Sequence, residues 1–380
     1  MPLTTMLIRG YRSVRRIALP IEACSVFVGA NGTGKTNLYK AIGLLRAAAD
    51  GSITRAVAAD GGINSVLWAG PRQRGQPVRL HLKAFFDNTP AGIVTTRCSY
   101  EIDLGLPRPT DAAFSIEPLV KHERLAVHDG RRNVVMMERK GPAVTLRNES
   151  GKRESLADAV LPSETALAAF RDGSRFPEME AVRRELLDWR LYHDFRTDQG
   201  SPVRHPCHAI TTPTLSADGH DLAAVLATLS RIRQDTADLD RAIDDAFPGA
   251  HLVAGDEGSH CRFTLAFPDM PRPFEAHELS DGTLKYLCLL GALMGYRLPA
   301  LIALNEPEAS LHPSLLAPLA RLICAAADST RIWVVTHSDV LADELLREVD
   351  ATPRRAIKVD GATEIEGLKL SGEYRDDDPL

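Results

Sequence analysis

The chain has 380 residues, of which 44% are hydrophobic and 25% charged, which is typical of a folded, water-soluble protein. Its formal net charge of −5 argues against a uniformly cationic nucleic-acid-binding protein, although it is compatible with a local basic patch. The six cysteines are scattered without a C-x-x-C pair, no apolar run reaches the length of a membrane span, and the N-terminus lacks a signal-peptide core. We therefore expect a cytoplasmic protein with reduced thiols and no membrane segment.

The first predicted elements lead into the most informative motif of the chain. Short strands and turns precede an apolar run at residues 25–28, which predicts a buried strand. Residues 29–36 read Gly-Ala-Asn-Gly-Thr-Gly-Lys-Thr and match the phosphate-loop pattern G-x-x-x-x-G-K-[ST] at every fixed position. Helical spacing follows and ends near Asp50 and Gly51. A strand, a glycine-rich loop and a helix in this order predict a nucleotide-binding site.

The residue types in this loop suit a nucleotide phosphate chain and its magnesium ion, so ATP and Mg²⁺ are the predicted cofactors. Glycines let backbone N–H groups turn toward phosphate oxygens, and the helix N-terminus adds partial positive charge. Lys35 is expected to reach the β- and γ-phosphates, and the Thr36 hydroxyl to hold Mg²⁺. The predicted nucleotide-binding residues of the loop are Gly29, Ala30, Asn31, Gly32, Thr33, Gly34, Lys35, Thr36 and Asn37.

The middle of the chain is predicted to be rich in strands and then in short helices. Apolar and polar residues alternate at 78–85, which is typical of a half-buried strand. The aromatic and basic segment 189–196 is expected to pack in the core, with a partner surface as the alternative. Further strands are predicted at 93–104, 114–128, 132–138 and 143–148, helices at 164–170, 178–189, 222–229 and 236–247, and a loop at 198–218.

After strands predicted at 251–254, 261–267 and 274–276, Leu279-Ser280-Asp281-Gly282 opens an apolar helix that extends to about residue 296. The Ser280 hydroxyl and the Gly282 N–H are placed at the N-terminus of this helix, where they can bind an anion. The alternative is an ordinary helix cap, in which Ser280 caps the helix and Asp281 favours the helix dipole. The position just before the next motif favours the functional interpretation.

Polar residues follow two short buried strands in the last third of the chain. A strand at 301–304 ends in Asn305-Glu306-Pro307-Glu308, and one at 332–335 ends in Thr336-His337-Ser338, with helices predicted at 314–326 and 338–348 and closing strands at 356–359 and 363–370. The carboxyl ends of parallel strands share one sheet edge, where ligands bind in open α/β folds. We therefore predict that Glu306 polarises the attacking water, that His337 hydrogen-bonds the γ-phosphate region, and that both lie beside the phosphate loop.

Taken in order, these motifs resemble the ABC-type ATPase heads of the RecF/SMC/OLD group, and within it the stand-alone bacterial AAA-family predicted ATPases. The resemblance is strong over residues 1–50 and 275–345 and weaker between them. It implies an α/β P-loop NTPase fold with a β-rich first lobe and a helical second lobe. The predicted division of this one composite domain is 1–150 for the β-rich lobe, 151–275 for the helical insert, and 276–380 for the signature helix, catalytic strand and switch region.

The resemblance also implies a homodimer induced by ATP. In such dimers two heads pack head to tail around two ATP molecules, so that Ser280 and Gly282 of one subunit would contact the γ-phosphate bound by Lys35 of the other. Residues 308–313 would lie at the seam between the subunits. Arg12 matches the early basic turn that approaches the nucleotide in these heads.

Two departures from the family pattern bear on turnover. The residue before the catalytic glutamate is Asn305 instead of aspartate; its amide oxygen can bind a water on Mg²⁺, so Thr36 and Asn305 are the predicted metal residues, but an amide brings no charge. The family also carries a glutamine between its lobes, and the four glutamines here are 73, 76, 199 and 234. Gln199 is best placed in sequence but is not assigned.

The insert between the phosphate loop and the signature segment lacks the sustained heptads of a coiled coil, so a long coiled-coil arm is not expected.

The favoured function is a slow ATPase of DNA repair, DNA maintenance or phage defence, hydrolysing ATP to ADP and phosphate. Basic pairs at 131–132, 139–140, 183–184 and 354–355 could follow a DNA backbone, although each pair alone is expected to be a solvated surface. The alternative is an ATP-gated module that controls a separate effector protein without contacting DNA. Because of Asn305, a nucleotide sensor that does not hydrolyse ATP is a further alternative. The motor subunit of a membrane transporter is disfavoured, because the signature segment 279–282 lacks the glutamine that such motors usually carry after its glycine.

Overall fold

The computed structural model of the chain describes residues 1–72, 75, 78–88, 96–106, 117–128, 132–157, 159–232, 237–349 and 351–374. It comprises two compact units. The first unit contains Met1–Glu22, Gly29–Trp189 and Arg354–Leu380. The second unit contains Ala23–Val28 and Arg190–Pro353. The predicted division into three consecutive parts remains a prediction.

The chain is a mixed α/β protein in which runs of successive strands and runs of successive helices follow one another. The strands are β1 Leu3–Tyr11, β2 Val14–Pro20, β3 Cys24–Val28, β4 Arg79–Asn88, β5 Thr96–Gly105, β6 Leu119–His128, β7 Asn133–Lys140, β8 Ala143–Arg147, β9 Arg153–Leu156, β10 Arg190–Tyr192, β11 Cys207–His208, β12 His251–Glu257, β13 His260–Ala266, β14 Phe274–Glu275, β15 Leu301–Asn305, β16 Arg331–Thr336, β17 Arg354–Val359 and β18 Ala362–Ile365. The α-helices are α1 Lys35–Asp50, α2 Ile53–Ala59, α3 Ile63–Val66, α4 Ala166–Ala169, α5 Pro177–Asp188, α6 Leu222–Ile232, α7 Ala237–Ala246, α8 Asp281–Met294, α9 Leu316–Ala327 and α10 Asp339–Val349. Short 3₁₀ turns lie at Pro202–Arg204, Ala276–Glu278 and Pro313–Leu315.

The first unit is built on an eight-stranded antiparallel sheet with the order β2-β1-β4-β5-β6-β7-β8-β9. Alternate residues of β1, such as Met6 and Ile8, are fully buried, whereas Arg9 is exposed on the other face. Helix α1 packs against α4 and α5. Burial of one face also explains the alternation that predicted β4, because its even-numbered residues from Leu80 to Phe86 are buried.

A buried ion pair fastens the strands of this sheet to the segment around α4. The Glu123 carboxylate accepts the Tyr100 hydroxyl at 2.9 Å and the N–H groups of Ala166 and Leu167 at 2.6 and 2.9 Å. Arg139 lies 3.9 Å from Glu123, and its guanidinium donates to the carbonyls of residues 141, 161, 162 and 164. Both charged side chains are fully buried, so Arg139 is unavailable to a nucleic-acid backbone.

Arginines of two other basic pairs are engaged by neighbouring side chains. Arg183 and Arg184 both bind the carboxylate of Glu180. Arg354 stacks on the ring of Tyr374, 3.6 Å from its centroid, and lies 3.5 Å from Glu22. Arg131 lies outside the described residues. Contact of these pairs with a DNA backbone remains a prediction.

The second unit contains four parallel strands in the order β10-β15-β16-β3. The strands β3 and β15 are buried along their whole length, as their continuous apolar sequences predict. Helices α8, α9 and α10 pack in sequence order, and α6 packs against α8 and against the small sheet formed by β11, β12, β13 and β14. The core of this unit therefore lies among α6, α8, α9 and the parallel strands.

Several predicted elements change in the structure. Helices α2 and α3 occupy a stretch that the sequence left without helices, and the predicted loop 198–218 contains a 3₁₀ turn and β11. The closing strand predicted to reach residue 370 ends at Ile365, because the chain turns at Gly367 with a φ of 74°. In the segment 189–196 the side chains of Trp189, Tyr192 and Phe195 are buried, which supports the core interpretation. The predicted strand ends at 93–95 and 114–116 and the helix start at 236 lie outside the described residues.

None of the helices in the described ranges combines the length and the hydropathy that a bilayer span requires.

Candidate nucleotide-binding site

The phosphate loop is shaped by two glycines in left-handed backbone conformations. Gly32 has a φ of 82° and Gly34 a φ of 94°, and α1 begins directly after Gly34. A Cβ on Gly34 would overlap the hydroxyl groups of Thr363 and Ser13, so there is no space for a side chain here. The left-handed backbone conformation of Gly34 also disfavours any residue other than glycine. A Cβ on Gly32 would meet no atom within 4 Å. The loop is therefore packed against its surroundings at one glycine and open at the other.

Lys35 is held inside the loop. Its side chain is 5% exposed, and its Nζ donates hydrogen bonds to the carbonyl oxygens of Gly29 and Ala30, the latter at 2.8 Å. A buried ammonium is stable only when such acceptors satisfy it. Phosphate oxygens are stronger acceptors than neutral carbonyls, so the cation is positioned to exchange these partners for an anionic ligand.

A chain of hydroxyl and amide groups supports the loop from the side. Asn37 Nδ2 donates to Ser13 Oγ at 2.8 Å, and Ser13 Oγ lies 2.7 Å from Thr363 Oγ1. Thr363 Oγ1 donates to the carbonyl of Thr33 at 2.7 Å. The sequence predicted a nucleotide-binding role for Asn37, and the structure gives its side chain a supporting contact. Thr363, on the strand β18, was not anticipated because it lies far away in sequence.

Arg12 is engaged in an ion pair. Its φ is 47°, and its guanidinium lies 3.0 Å from the carboxylate of Asp60. Lys40 binds the other oxygen of Asp60 at 2.6 Å. The basic turn is therefore fixed by an acidic residue that the sequence analysis did not single out, and the nucleotide contact of Arg12 remains a prediction.

The four parallel strands of the second unit end at one edge. Tyr192 pairs with Leu304, Asn305 pairs with Val335, and Thr336 pairs with Val28. The polar residues that follow β15 and β16 therefore share this edge, as predicted, and those that follow β10 join them there. The phosphate loop starts at Gly29, which follows Val28 directly in the chain.

Asn305 is oriented by a histidine that the sequence analysis missed. Asn305 is 1% exposed, and its Nδ2 lies 2.8 Å from Nδ1 of His193, which follows β10. Asn305 Oδ1 is buried and has no hydrogen-bond partner among the described residues. The available sequence signal was the position of His193 within the aromatic and basic segment 189–196. Gln199 is exposed farther along the loop, and the glutamines at 73, 76 and 234 lie outside the described residues.

Glu308 ties the ends of β15 and β16 together. Its Oε1 accepts the Thr336 hydroxyl at 2.6 Å and the His337 N–H at 2.9 Å. Its Oε2 is buried and has no partner in the part of the chain that the structure describes. His337 Nδ1 lies 3.2 Å from Glu308 Oε1 and 3.9 Å from Glu306 Oε2. The two predicted catalytic side chains are thus brought together, with Glu308 as a third member that the sequence named only as part of the seam.

Glu306 occupies a constrained turn. Its φ is 50°, and its N–H donates to the carbonyl of Val335 at 2.7 Å. Its carboxylate is 37% exposed, in contrast to the 6% exposed Glu308. Non-glycine residues rarely adopt this backbone conformation, and those that do cluster at functional sites. The accessible carboxylate at the sheet edge is suited to contact water and a ligand.

A buried lysine of α8 lies near this acidic group. Lys285 is 4% exposed, and its Nζ lies 3.8 Å from Asp194 Oδ1. Burial lowers the pKa of Lys285, while the charges of Asp194, Glu308 and Glu306 oppose that shift. The field of this cation therefore partly balances the carboxylates at the sheet edge.

The signature segment begins α8 and is held by an arginine. Ser280 caps the helix by accepting the Thr283 N–H at 3.1 Å, and the residue is exposed. A Cβ on Gly282 would lie 3.0 Å from the carbonyl oxygen of Ser310, so that glycine allows a close backbone approach. Arg204 donates to the carbonyl of Leu279 at 2.8 Å and to Asp281 Oδ1 at 2.6 Å. The cap interpretation of Ser280 is confirmed, and its exposure leaves room for the anion contact as well.

Comparison with known proteins gives one family and a set of related folds. The family described as "AAA domain, putative AbiEii toxin, Type IV TA system" matches residues 124–343, which is more than half of the 380 residues. A comparison with curated proteins finds no match.

Solved Smc heads share the fold along nearly the whole chain. The Smc head bound to the C-winged helix domain of ScpA is 15% identical, with a TM-score of 0.53 over 98% of this chain and 99% of that one. The Smc head with an extended coiled coil from Pyrococcus furiosus, bound to the C-terminal domain of ScpA, is 13% identical, with a TM-score of 0.51 over 98% and 97%. The Smc head with a coiled coil and joint from Pyrococcus yayanosii is 10% identical, with a TM-score of 0.50 over 98% of each chain.

These similarities confirm the predicted fold class, an α/β P-loop NTPase. They also confirm the predicted resemblance to ABC-type ATPase heads of the SMC/RecF group. Because the family match covers more than half of the sequence, the chain belongs to the family described as AAA domain, putative AbiEii toxin, Type IV TA system.

Proposed function

We propose that this protein binds MgATP and hydrolyses it to ADP and phosphate. The observation that carries the proposal is the buried Lys35 ammonium at the start of α1, held by the carbonyls of its own glycine-rich loop. A phosphate chain supplies the anionic oxygens that such a cation and the helix N-terminus favour. The polar residues at the shared strand edge support the same function.

Each predicted site residue has a role in this proposal. Lys35 and the loop N–H groups stabilise phosphate charge, Glu306 orients the attacking water, and His337 contacts the γ-phosphate. His193 positions Asn305, and Glu308 positions His337. Arg12 is proposed to approach the nucleotide from the basic turn.

The residues present fit a magnesium ion that is bound mainly through phosphates and water. In the described part of the chain, no group of three or more His, Cys, Asp and Glu side chains is arranged to hold a metal by itself. The buried, unpartnered Oδ1 of Asn305 is an oxygen acceptor of the kind that a hydrated Mg²⁺ takes, and Thr36 supplies a hydroxyl. Bound Mg²⁺ would neutralise part of the phosphate charge; with one amide in place of a carboxylate, we expect slow turnover.

We further propose that ATP induces a homodimer in which Ser280 and Gly282 of one subunit contact the nucleotide held by Lys35 of the other. The exposed Ser280 at the start of α8 supports this arrangement. The biological setting that we propose is DNA maintenance or phage defence in the cytoplasm. The toxin–antitoxin system named in the family description supports a role exercised together with a second protein.

The test combines light scattering after size-exclusion chromatography with phosphate release, for wild type and Glu306→Gln, with and without MgATP. We expect the variant to bind ATP, to accumulate as a dimer and to release no phosphate. Glu149→Gln, which neutralises an exposed carboxylate elsewhere, is the control and is expected to behave as wild type. Wild-type phosphate release by Glu306→Gln would refute the assigned role. A monomer without turnover under all conditions would favour a nucleotide sensor.

The alternative is an ATP-gated module that controls an effector protein without contacting DNA. Salt-dependent binding of duplex DNA separates the two, because phosphate contacts release counterions and weaken steeply as salt rises. Binding of DNA at low salt that decreases with salt would favour the DNA role. ATP-dependent dimerisation without DNA binding would favour the effector role.

A further inference from the structure

The first unit contains a cavity of about 590 Å³ with a strongly basic lining. Its arginines come from three separate parts of the sequence and were not recognised as a group. One aromatic side chain, Trp68, also lines it. We call this pocket the arginine cavity after the arginines that line it, which are Arg9, Arg15, Arg16, Arg72 and Arg79.

The pairing of strands brings two of these arginines face to face. Arg9 of β1 is the direct partner of Arg16 of β2, so their side chains leave the sheet on the same face. His81 of β4 is the partner of Arg9 on the other side. Like charges placed directly opposite each other on neighbouring strands destabilise a sheet. An anion between them would remove this repulsion.

The surrounding acids do not neutralise this pair. Asp103 binds His81 at 2.6 Å and Arg79 at 3.4 Å, and Asp360 and Glu364 line the same cavity. Within the described ranges, the guanidinium groups of Arg9, Arg15 and Arg16 form no ion pair. Among the residues that the structure describes, five arginines and two carboxylates line the cavity, which gives this part of the lining an excess of positive charge.

Size and side-chain chemistry indicate the ligand. Guanidinium groups bind phosphate in a bidentate manner, and an indole ring offers a face on which a base can stack. The Trp68 Nε1 donates to the carbonyl of Pro71 at 3.2 Å, which fixes the ring. The volume lies in the range of pockets that enclose a small molecule. A ligand with both a phosphate and an aromatic base satisfies all of these features.

We propose that the arginine cavity binds a nucleotide unit, either as a free mononucleotide or as part of a nucleic-acid strand, at a site distinct from the phosphate loop. Ligand binding in the arginine cavity does not depend on the proposed ATP hydrolysis, so the two proposals can be tested separately.

One residue that lines the cavity also contacts the phosphate loop. Thr363 lines the cavity, and its hydroxyl donates to the carbonyl of Thr33 and contacts Ser13. A ligand that shifts Thr363 therefore changes the packing against Gly34. Occupancy of the cavity should change the affinity for ATP, and ATP should change the affinity for the cavity ligand by the same factor.

The experiment uses the full chain carrying Lys35→Ala, which removes the main cation of the phosphate loop. Fluorescence anisotropy would measure binding of a labelled short oligothymidine, with unlabelled mononucleotide as competitor. We expect saturable binding that weakens by about tenfold or more in the further double variant Arg9→Ala/Arg16→Ala, because two charged hydrogen-bonding partners are lost. Competition by mononucleotide assigns a free nucleotide; binding of the oligonucleotide alone assigns a strand.

The control is Arg97→Ala/Arg153→Ala, which removes two exposed arginines from other strands of the same sheet. It should leave binding unchanged. Equal weakening in both double variants would mean general electrostatic attraction and would overturn the proposal, as would absence of binding by either probe. Circular dichroism checks that the arginine variants fold. If the folded double variant Arg9→Ala/Arg16→Ala with Lys35 restored failed to bind MgATP, the result would count against the phosphate-loop function and not against the cavity.

Discussion

At the scale of single residues, the pair Asn305–His193 is the feature that most changes the expected chemistry. Asparagine brings no charge, but its Nδ2 is held by His193 at 2.8 Å, so its oxygen is presented in one orientation. A fixed, buried acceptor without a partner costs free energy unless a ligand uses it. By fixing the orientation of the Asn305 oxygen, His193 partly compensates for the missing carboxylate. Neighbours of metal ligands commonly orient those ligands in this way.

Replacing His193 tests this orienting role. In His193→Ala the Asn305 amide loses its partner and can rotate, so we expect turnover to fall by about tenfold while ATP affinity stays within about twofold. His193→Gln, which can still accept or donate at that position, should recover part of the rate. The measurement is phosphate release with separate determination of ATP binding. His205→Ala, at an exposed position, serves as the control; loss of ATP affinity in His193→Ala would instead indicate a folding defect.

The residues of the site differ in how far the sequence could predict them. Lys35, Glu306 and His337 lie in motifs whose spacing fixes their place at a helix start or a strand end, so they could be named. His193 and Arg204 could not, because both act through contacts with residues far along the chain. Thr363 is the extreme case, since it reaches Thr33 across 330 positions.

At the scale of elements, the turn from the phosphate loop into α1 depends on a single glycine. Gly34→Ala would place a Cβ against Thr363 and Ser13 and force a left-handed conformation on alanine. We expect a loss of about 2–4 kcal/mol of stability together with loss of ATP binding. Gly32→Ala has the same backbone penalty but free space, so it should cost only about 1–2 kcal/mol. Chemical denaturation measures both, and equal losses would contradict the packing argument.

The ion pair Glu123–Arg139 governs how the sheet holds α4. Arg139→Met leaves the Glu123 carboxylate buried with no countercharge, and we expect a loss of about 3–5 kcal/mol. Lys140→Met, at the neighbouring position whose side chain is 70% exposed, should change stability by less than about 0.5 kcal/mol. Urea denaturation would compare the two variants. A small effect of Arg139→Met would show that water reaches Glu123 and that the pair is not an essential fastening.

The same pair shows why sequence patterns located elements better than surfaces. Alternation and apolar runs predicted the strands because burial of one or both faces decides which residues a strand accepts. The adjacent basic residues 139 and 140 looked equivalent, yet one is fully buried and the other is exposed. The arginine cavity shows the reverse case, since Arg9 and Arg16 become neighbours only through the register of β1 and β2.

At the scale of the whole molecule, the proposed head-to-tail dimer divides each nucleotide site between two chains. One chain supplies Lys35 and the other supplies Ser280, and a twofold axis makes the two sites equivalent. This division has a consequence that a site built within one chain does not share. Two variants that are inactive for different reasons can complement each other when they are mixed.

Mixing Lys35→Ala with Ser280→Arg tests the division. Arginine at the exposed Ser280 position removes the helix cap, at a cost of about 1 kcal/mol, and places a bulky side chain where the partner's nucleotide is proposed to lie. Each variant alone should release almost no phosphate. A heterodimer has one site with both residues intact, so an equal mixture should recover roughly a quarter of the wild-type rate if the sites act independently. Phosphate release from the mixture, with each variant shown to be folded by circular dichroism, is the measurement. Absence of recovery from two folded variants would mean that Lys35 and Ser280 do not serve one site across a dimer, and that ATP turnover here follows a different arrangement of subunits.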